Sequence, residues 1–250
     1  MRAAALATAG VLALLWVWRI TYAATDLAGL AAIAVSLWAA VSAYRGNRDI
    51  RRAQLAAAFH SRSALSRLVT GRIRALAFAV AVFVISLPVL AWKALTAAQP
   101  EALALALVFL LSGITALWAR RILSRHVTPA FAKAWGVAIA VVLVGGLAVP
   151  VLGWINYTVV SYPDAALGGN FAQTFQELMG NLPTRRGWIA EALTFVAVAD
   201  AARLTLASRY AGSWPLVAIY CLDSALVCLI VAQTGALCTS AVKEMMWHRD

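Results

Sequence analysis

A few acids and one arginine lie within long apolar stretches of this sequence and could carry chemistry there. Asp223 lies in the apolar run 214–237, and Asp200 and Arg203 interrupt the run 188–207. An ionised carboxylate near the middle of a bilayer costs on the order of 2.5–3.5 kcal/mol, so it needs a partner, water or a proton. One hypothesis is therefore an intramembrane proton or cation site formed by Asp223 with Asp200 and Arg203.

The spacing of these residues also allows a second interpretation. Asp200 and Arg203 are three residues apart, so their side chains can meet on one face of a helix. Glu191 precedes them, nearer the outer interface, and is the fourth relay candidate. The same charges could instead form a polar contact between helices or subunits that fixes packing. No second acid is expected at the depth of Asp223, which favours the packing contact.

The sequence lacks the residues that metal, haem or cofactor chemistry would need. The three histidines, His60, His126 and His248, fall outside the clear apolar runs, and the three cysteines form no C-x-x-C pair. The sequence contains no G-x-x-x-x-G-K-[ST], G-x-S-x-G or H-E-x-x-H motif. We therefore expect no catalytic residue, no metal and no cofactor.

One polar cluster outside the apolar runs could serve a membrane enzyme, which is the third and last function class that we consider. It consists of Asp164, Glu177, Arg185 and Arg186 in the predicted loop 156–187. The two arginines could hold an anionic headgroup, because guanidinium groups bind phosphate through paired hydrogen bonds.

The composition places these residues in a membrane protein. Of 250 residues, 63% are hydrophobic and 12% are charged, and the mean hydropathy is +0.82. Soluble domains are about 45–50% apolar and about 25% charged. The charges here separate apolar runs long enough to cross a hydrocarbon core of about 30 Å as helices. The sequence therefore predicts an all-α, polytopic transmembrane helical bundle in which residues 1–250 form a single domain.

Seven runs are predicted to span the membrane, and six spans are the alternative. The runs cover residues 4–22, 26–44, 75–95, 102–119, 134–155, 188–207 and 214–237. The number of spans depends on the run 188–207, because this run carries charged residues. If it crosses, the two termini lie on opposite sides; if it lies on the surface, six spans remain and both termini are cytoplasmic.

A basic segment, residues 45–74, determines the predicted orientation. It holds eight arginines and one acid, Asp49. Because cytoplasmic loops are rich in Lys and Arg, we predict a cytoplasmic segment and N terminus in a bacterial inner membrane. Seven arginines are predicted to contact anionic headgroups: Arg48, Arg51, Arg52, Arg62, Arg67, Arg72 and Arg74. The segment could be a basic amphipathic helix on the membrane surface or an extension of the next span.

The external loop 156–187 is predicted to contain a short amphipathic helix, either at the interface or as a lid. Asn170 could cap it, and it would end at Gly180. Its apolar face would consist of Phe171, Phe175, Leu178 and Met179. The span before this loop contains Gly145-Gly146 and Pro150, which predict a kink.

Two short patterns recur in the same order. Residues 65–70 (LSRLVT) match 123–128 (LSRHVT), and 88–92 (PVLAW) match 150–154 (PVLGW). Both copies would cross in the same direction, so they predict a parallel internal repeat relating the third and fifth spans. The alternative is that both patterns reflect ordinary interfacial residue usage in a biased composition.

These features leave two main functional hypotheses. The first is a non-enzymatic, membrane-embedded subunit or scaffold of a larger assembly, with protein partners or a second copy of the chain. The second is a small transporter or channel that uses Asp223 with Asp200 and Arg203. The net charge of +11 does not indicate a nucleic-acid partner, because the cations flank the spans.

Overall fold

The structure of the chain, a computed structural model, describes residues 1–58, 72–159, 170–180, 188–210 and 214–247. A 3-10 turn, Asp26–Ala28, precedes the second helix, and a π-helical turn, Val141–Gly145, separates the fifth from the sixth. The α-helices in these ranges are α1 Arg2–Thr21, α2 Gly29–Ala58, α3 Arg72–Thr96, α4 Gln99–Leu123, α5 Pro129–Ala140, α6 Gly146–Val159, α7 Phe171–Gly180, α8 Trp188–Arg209 and α9 Trp214–Trp247.

Six segments among the described residues are long and apolar enough to cross a membrane. They are Arg2–Thr21, Asp26–Leu55, Arg72–Thr96, Gln99–Leu123, Pro129–Asn156 and Ala218–Met246. The predicted all-α, polytopic bundle is therefore confirmed, and the chain is a multi-pass membrane protein. The prediction of seven spans is not confirmed, because α8 is not among these segments.

The last helix, α9, forms the centre of the bundle. In its apolar stretch 72% of the residues are buried, compared with 28–50% in the other five spans. It contacts every other spanning segment. A helix that is apolar on all sides is stable only when it is surrounded. Small side chains allow its neighbours to approach, among them the buried Ser224, Cys228, Ala232, Ala236 and Thr239.

Reciprocal glycines bring α4 and α9 into close contact. A β-carbon added at Gly235 of α9 would lie 2.5 Å from the carbonyl oxygen of Phe109 in α4. One added at Gly113 of α4 would lie 3.1 Å from the β-carbon of Thr239 in α9. Only glycine allows this approach. Because the contacting positions advance together along both chains, α4 and α9 run parallel.

Polar contacts at the two ends of the bundle determine the direction of α9. At one end, Lys133 Nζ of α5 lies 2.6 Å from Glu244 Oε1 of α9, and Arg120 Nη1 of α4 lies 3.8 Å from the same oxygen. At the other end, Asn156 of α6 donates to Ser224 Oγ of α9 over 3.4 Å. The α5–α6 unit and α9 are therefore antiparallel. We call the first end, with Arg120, Lys133 and Glu244, the basic end, and the second the capped end.

This direction accounts for the number of crossings. Since α6 ends at the capped end and α9 begins there, α8 makes no net crossing between them. The helix α1 also starts toward the basic end, where Ala4 packs near Gly113, and reaches the capped end, where Trp18 Nε1 donates to Ala91 O at 3.0 Å. The contacts therefore match the six-span alternative, in which α1 starts and α9 ends at the same side of the bundle.

The helix α8 lies against the capped end of the bundle. Its residues Ile189, Leu193 and Ala197 are buried in one cluster with Trp18 of α1 and Trp92 of α3. These positions recur every four residues, which places them on one face of the helix. The apolar residues that predicted a transmembrane run therefore pack on the ends of α1 and α3 instead.

The short helix predicted after Asn170 is present as α7. The backbone N–H of Gln173 donates to Asn170 Oδ1 at 3.3 Å, which is the contact of an N-cap. Phe175 and Met179 pack against the cluster around Trp18, whereas Phe171 is exposed. Residues 160–169 and 181–187 of the predicted loop lie outside the described residues, and the loop's external location stays a prediction.

The described parts of the basic segment 45–74 belong to the helices on either side of it. Its first part continues α2 without a break as far as Ala58, and its last residues, 72–74, begin α3 and so extend the next span. Residues 59–71 lie outside the described residues, so the amphipathic surface helix stays a prediction. Residues 45–58 contain no proline, and good helix formers such as Arg, Ala and Gln let α2 continue. Arg48, Arg51 and Arg52 lie on this extension, Arg72 and Arg74 begin α3, and Arg62 and Arg67 lie outside the described residues.

The fifth span is irregular at the glycines that predicted a kink. The π-helical turn ends at Gly145, where an added β-carbon would lie 3.1 Å from Leu229 Cδ2 of α9. Pro150 follows within α6. A π-turn and a proline each interrupt the regular α-helical hydrogen-bond ladder, so this span is interrupted at two places, whereas α3 contains one proline, Pro88, and no π-turn.

The internal repeat is not confirmed. Leu90 and Leu152 are buried in both copies of the PVL pattern, but Trp92 is 3% exposed and Trp154 is 68% exposed. The first copy of the LSR pattern lies outside the described residues. The equivalent leucines therefore have similar burial, whereas the equivalent tryptophans do not.

Candidate functional site

Three of the four predicted relay residues meet at the capped end. Arg203 Nη2 lies 2.6 Å from Asp200 Oδ1 on the same helix, and Arg203 Nη1 pairs with Asp223 Oδ2 of α9. Trp92 Nε1 of α3 donates to Asp200 Oδ2 at 3.2 Å. We call Asp200, Arg203 and Asp223 the triad. It joins α8 to α9 and, through Trp92, to α3.

The local sequence of α8 explains why the triad forms. Asp200 and Arg203 are three residues apart on a helix, so an ion pair between them needs no long-range folding. Ala197, Ala201 and Leu204 are buried around them and hold this turn of α8 against the bundle. The pairing of Asp200 with Arg203 was expected, whereas the addition of Asp223 depends on how α8 packs on α9.

The triad is half-buried and carries an excess negative charge. The side chains of Arg203, Asp200 and Asp223 are 13%, 18% and 24% exposed. Two carboxylates and one guanidinium leave a formal charge of minus one, if all three are ionised. The planar guanidinium can contact both carboxylates at once, which an ammonium group does less well. Arg203 Nε is buried and has no hydrogen-bond partner among the described residues.

Asp223 lies nine residues after Trp214, where α9 begins. A second acid, Asp200, shares its arginine, although no second acid was expected at the depth of Asp223. The location of Asp223 near the middle of the membrane stays a prediction.

The remaining predicted residues do not join the triad. Glu191 is exposed in the first turn of α8, and the structure gives it no contact with Arg203. Glu177, from the set proposed for an enzyme, is exposed on α7. The other members of that set, Asp164, Arg185 and Arg186, lie outside the described residues, so the structure does not bring this set together.

A buried ion pair that the sequence analysis did not name closes the turn between α3 and α4. Lys93 Nζ lies 2.6 Å from Glu101 Oε1, and the two side chains are 13% and 8% exposed. Opposite charges on either side of the short link 97–98 were a signal that could have identified it. Both residues lie at the capped end, where the triad is also found.

The described acids of α3 to α6 and of α9 all pair with cations. Glu101 pairs with Lys93 and Asp223 with Arg203, both at the capped end. Glu244 pairs with Lys133, which is 7% exposed, at the basic end. Each of these three ion pairs thus connects one helix to another.

The arrangement of potential metal ligands and the comparison with known proteins give no further indication of function. No group of three or more His, Cys, Asp or Glu side chains in the described ranges could hold a metal ion. Cys228 and Cys238 are buried and Cys221 is half-buried, all as free thiols. The chain matches no known protein family, no curated protein and no solved structure.

Proposed function

We propose that this chain is a non-enzymatic, membrane-embedded subunit or scaffold of a larger assembly in a bacterial inner membrane. The observation that carries the proposal is the triad, in which Arg203 binds both Asp200 and Asp223 and ties α8 to the bundle. A proton relay needs titratable groups at successive depths. The described acids of α3 to α6 and of α9 instead form ion pairs that each join two helices, which supports a fixed arrangement of helices.

The proposed orientation has six spans and a cytoplasmic basic end. Support comes from the charges at that end, where the end of α2, the end of α4 and the start of α3 each carry at least two arginines. The start of α5 and the end of α9 add one lysine each. Arg48, Arg51 and Arg52 on the extension of α2 are then placed to contact anionic headgroups. The proposed partners are other membrane proteins or a second copy of the chain. The parallel repeat stays a prediction.

The subunit role can be tested by purifying the chain from its native membrane in a mild detergent and measuring the mass of the complex by native mass spectrometry. We expect a homo-oligomer or partners in fixed stoichiometry. Arg203→Gln should reduce the assembled fraction because it releases α8, whereas Arg209→Gln should not, because Arg209 is exposed and has no ion-pair partner among the described residues. A dispersed monomer of the unmodified chain would contradict the proposal.

A second candidate function is a small transporter or channel that binds a proton or cation at the triad. The observation that favours it is the excess negative charge of Asp200 and Asp223 around one arginine, with side chains that are 18% and 24% exposed. Such an unbalanced pair of carboxylates can attract a cation or share a proton. Glu191, exposed on the same helix, would lie nearer the surface on the path of entry.

This alternative predicts that Asp223→Asn abolishes coupled flux in proteoliposomes while the protein stays folded. The substitution keeps the shape of the side chain and removes its charge. Flux would be followed with a pH-sensitive dye for protons and with cation-sensitive dyes for Na⁺ and K⁺. Asp49→Asn, on the exposed extension of α2, is the matched control and should leave flux unchanged. Unchanged flux in Asp223→Asn would remove the triad as the transport site.

A further inference from the structure

An apolar cleft of about 460 Å³ lies between α1, α3 and α4. Phe109 of α4 and Val231 of α9 lie at its deepest part, and both are buried. Its walls are mainly Ala and Leu side chains, and Trp16 lies at the rim with 64% of its surface exposed. The three helices that form the walls are all candidate spans, so the cleft is located within the membrane.

The length of the cleft corresponds to one leaflet. Along α1 it extends from Arg19 to Val11, and along α4 from Ala102 to Phe109. Eight and seven residues of helix are about 12 Å and about 10 Å long. Half of a hydrocarbon core is about 15 Å. The cleft therefore reaches from the capped end into the core of a single leaflet, which suits an acyl chain that enters from that leaflet.

The charges at the cleft favour an anion. Arg19 and Lys93 are the two cations that line it. Lys93 is neutralised by Glu101 at 2.6 Å, but Arg19 is exposed and pairs with no carboxylate in the described part of the chain. The cleft and its rim thus carry one uncompensated positive charge. A guanidinium at the level of the headgroups is well suited to bind a phosphate.

We propose that this cleft binds one acyl chain of an anionic phospholipid whose phosphate contacts Arg19. Two properties of the site support this occupant, namely an apolar interior one leaflet deep and a single unpaired cation at its rim. A lipid without net charge would leave the positive charge of Arg19 uncompensated. The proposal goes beyond the subunit role and does not depend on it, because lipid binding is a property of this chain alone.

The test uses the full chain in mild detergent, titrated with phosphatidylglycerol and, separately, with phosphatidylcholine of identical acyl chains. Bound lipid is counted by native mass spectrometry. We expect preferential binding of phosphatidylglycerol and a loss of about tenfold in its affinity in Arg19→Gln, as for a lost hydrogen bond to a charged group. Arg45→Gln, an exposed arginine near the basic end, should bind like the unmodified chain. Equal binding of both lipids, or an unchanged affinity in Arg19→Gln, would overturn the proposal.

A second pair of variants tests the interior of the cleft. Ala106→Phe should fill it, whereas Leu107→Phe changes the next residue of the same helix, which is 56% exposed and does not line the cleft. Phosphatidylglycerol with a diazirine in its acyl chain should label α1 and α4 peptides of the unmodified chain and of Leu107→Phe, but not of Ala106→Phe. Labelling that persists in Ala106→Phe, or that is confined to other helices, would overturn the proposal, as would a second copy of the chain crosslinked at the cleft.

Discussion

Arg203 explains how two acids can lie together in a half-buried site at the capped end of the bundle. Its side chain contacts Asp200 on its own helix and Asp223 on α9, and the guanidinium geometry allows both contacts at once. Without it, two carboxylates would face the same apolar surroundings. The residue thus connects the charge pattern of α8 with the packing of the bundle.

We predict that Arg203→Gln lowers the free energy of unfolding by about 2–4 kcal/mol, because removing one partner of a buried ion pair leaves uncompensated charge. The measurement is thermal unfolding in detergent, followed by tryptophan fluorescence and by circular dichroism. Arg209→Gln, an exposed arginine six residues later on α8, is the control and should change stability by less than about 0.5 kcal/mol. Equal stability of the two variants would show that the triad does not hold α8 in place.

At the scale of elements, the contact between α4 and α9 depends on the absence of side chains. A β-carbon at Gly235 would lie 2.5 Å from Phe109 O, and one at Gly113 would lie 3.1 Å from Thr239 Cβ, so both distances are too short for ordinary contact. Helices in a membrane associate mainly through close packing and interhelical hydrogen bonds, since lipid is as apolar as the helices themselves. This contact therefore makes a large contribution to the position of the central helix.

Gly235→Ala is expected to destabilise the bundle by about 1–3 kcal/mol, because the added methyl group forces two backbones apart. Gly146→Ala is the control, since a β-carbon there meets nothing within 4 Å and alanine favours the helix. The midpoint of thermal unfolding in detergent gives the comparison. The prediction would be wrong if Gly235→Ala were as stable as Gly146→Ala.

The helices α7 and α8 use their apolar residues to pack on the capped end of the bundle. The apolar residues of α8 are enough to resemble a span in the sequence, but three of them, Ile189, Leu193 and Ala197, are buried on the ends of α1 and α3. Thr174 of α7 and Thr205 of α8 approach to 3.5 Å between their hydroxyl oxygens. The two helices thus form one layer on the capped end, with the triad holding α8.

At the scale of the whole molecule, the direction of α9 determines the arrangement of the termini. Its far end meets Arg120 and Lys133 at the basic end, toward which α1 also begins. We predict that a reporter fused after Asp250 lies on the same side as the N terminus. Green fluorescent protein should be fluorescent and alkaline phosphatase inactive there, because we propose that this side is cytoplasmic.

The matched control places the same reporters after residue 165, between α6 and α7, where the opposite result is expected. Active alkaline phosphatase at residue 250, together with an inactive N-terminal fusion, would contradict six crossings and restore the seven-span prediction. The outcome also decides the orientation that we propose for the arginines of the extension of α2.

The sequence by itself determined the class of the protein, the spans outside α8, the short helix capped by Asn170 and the irregular fifth span. These features depend on residues close to one another in the chain, since apolar length, capping residues and glycine or proline act locally. The sequence also indicated the pair Asp200 and Arg203, which are neighbours on one helix.

Only the tertiary structure decided that α8 makes no net crossing, that α9 is central and that Asp223 joins the pair at the capped end. The same is true of the cleft beside Arg19. Each of these depends on which helices meet and at what depth, and those contacts join residues far apart in the sequence. The composition of α8, which is partly apolar and partly charged, fits both a membrane span and a helix packed on the end of the bundle. Only the contacts of α8 with α3 and α9 distinguish these two arrangements.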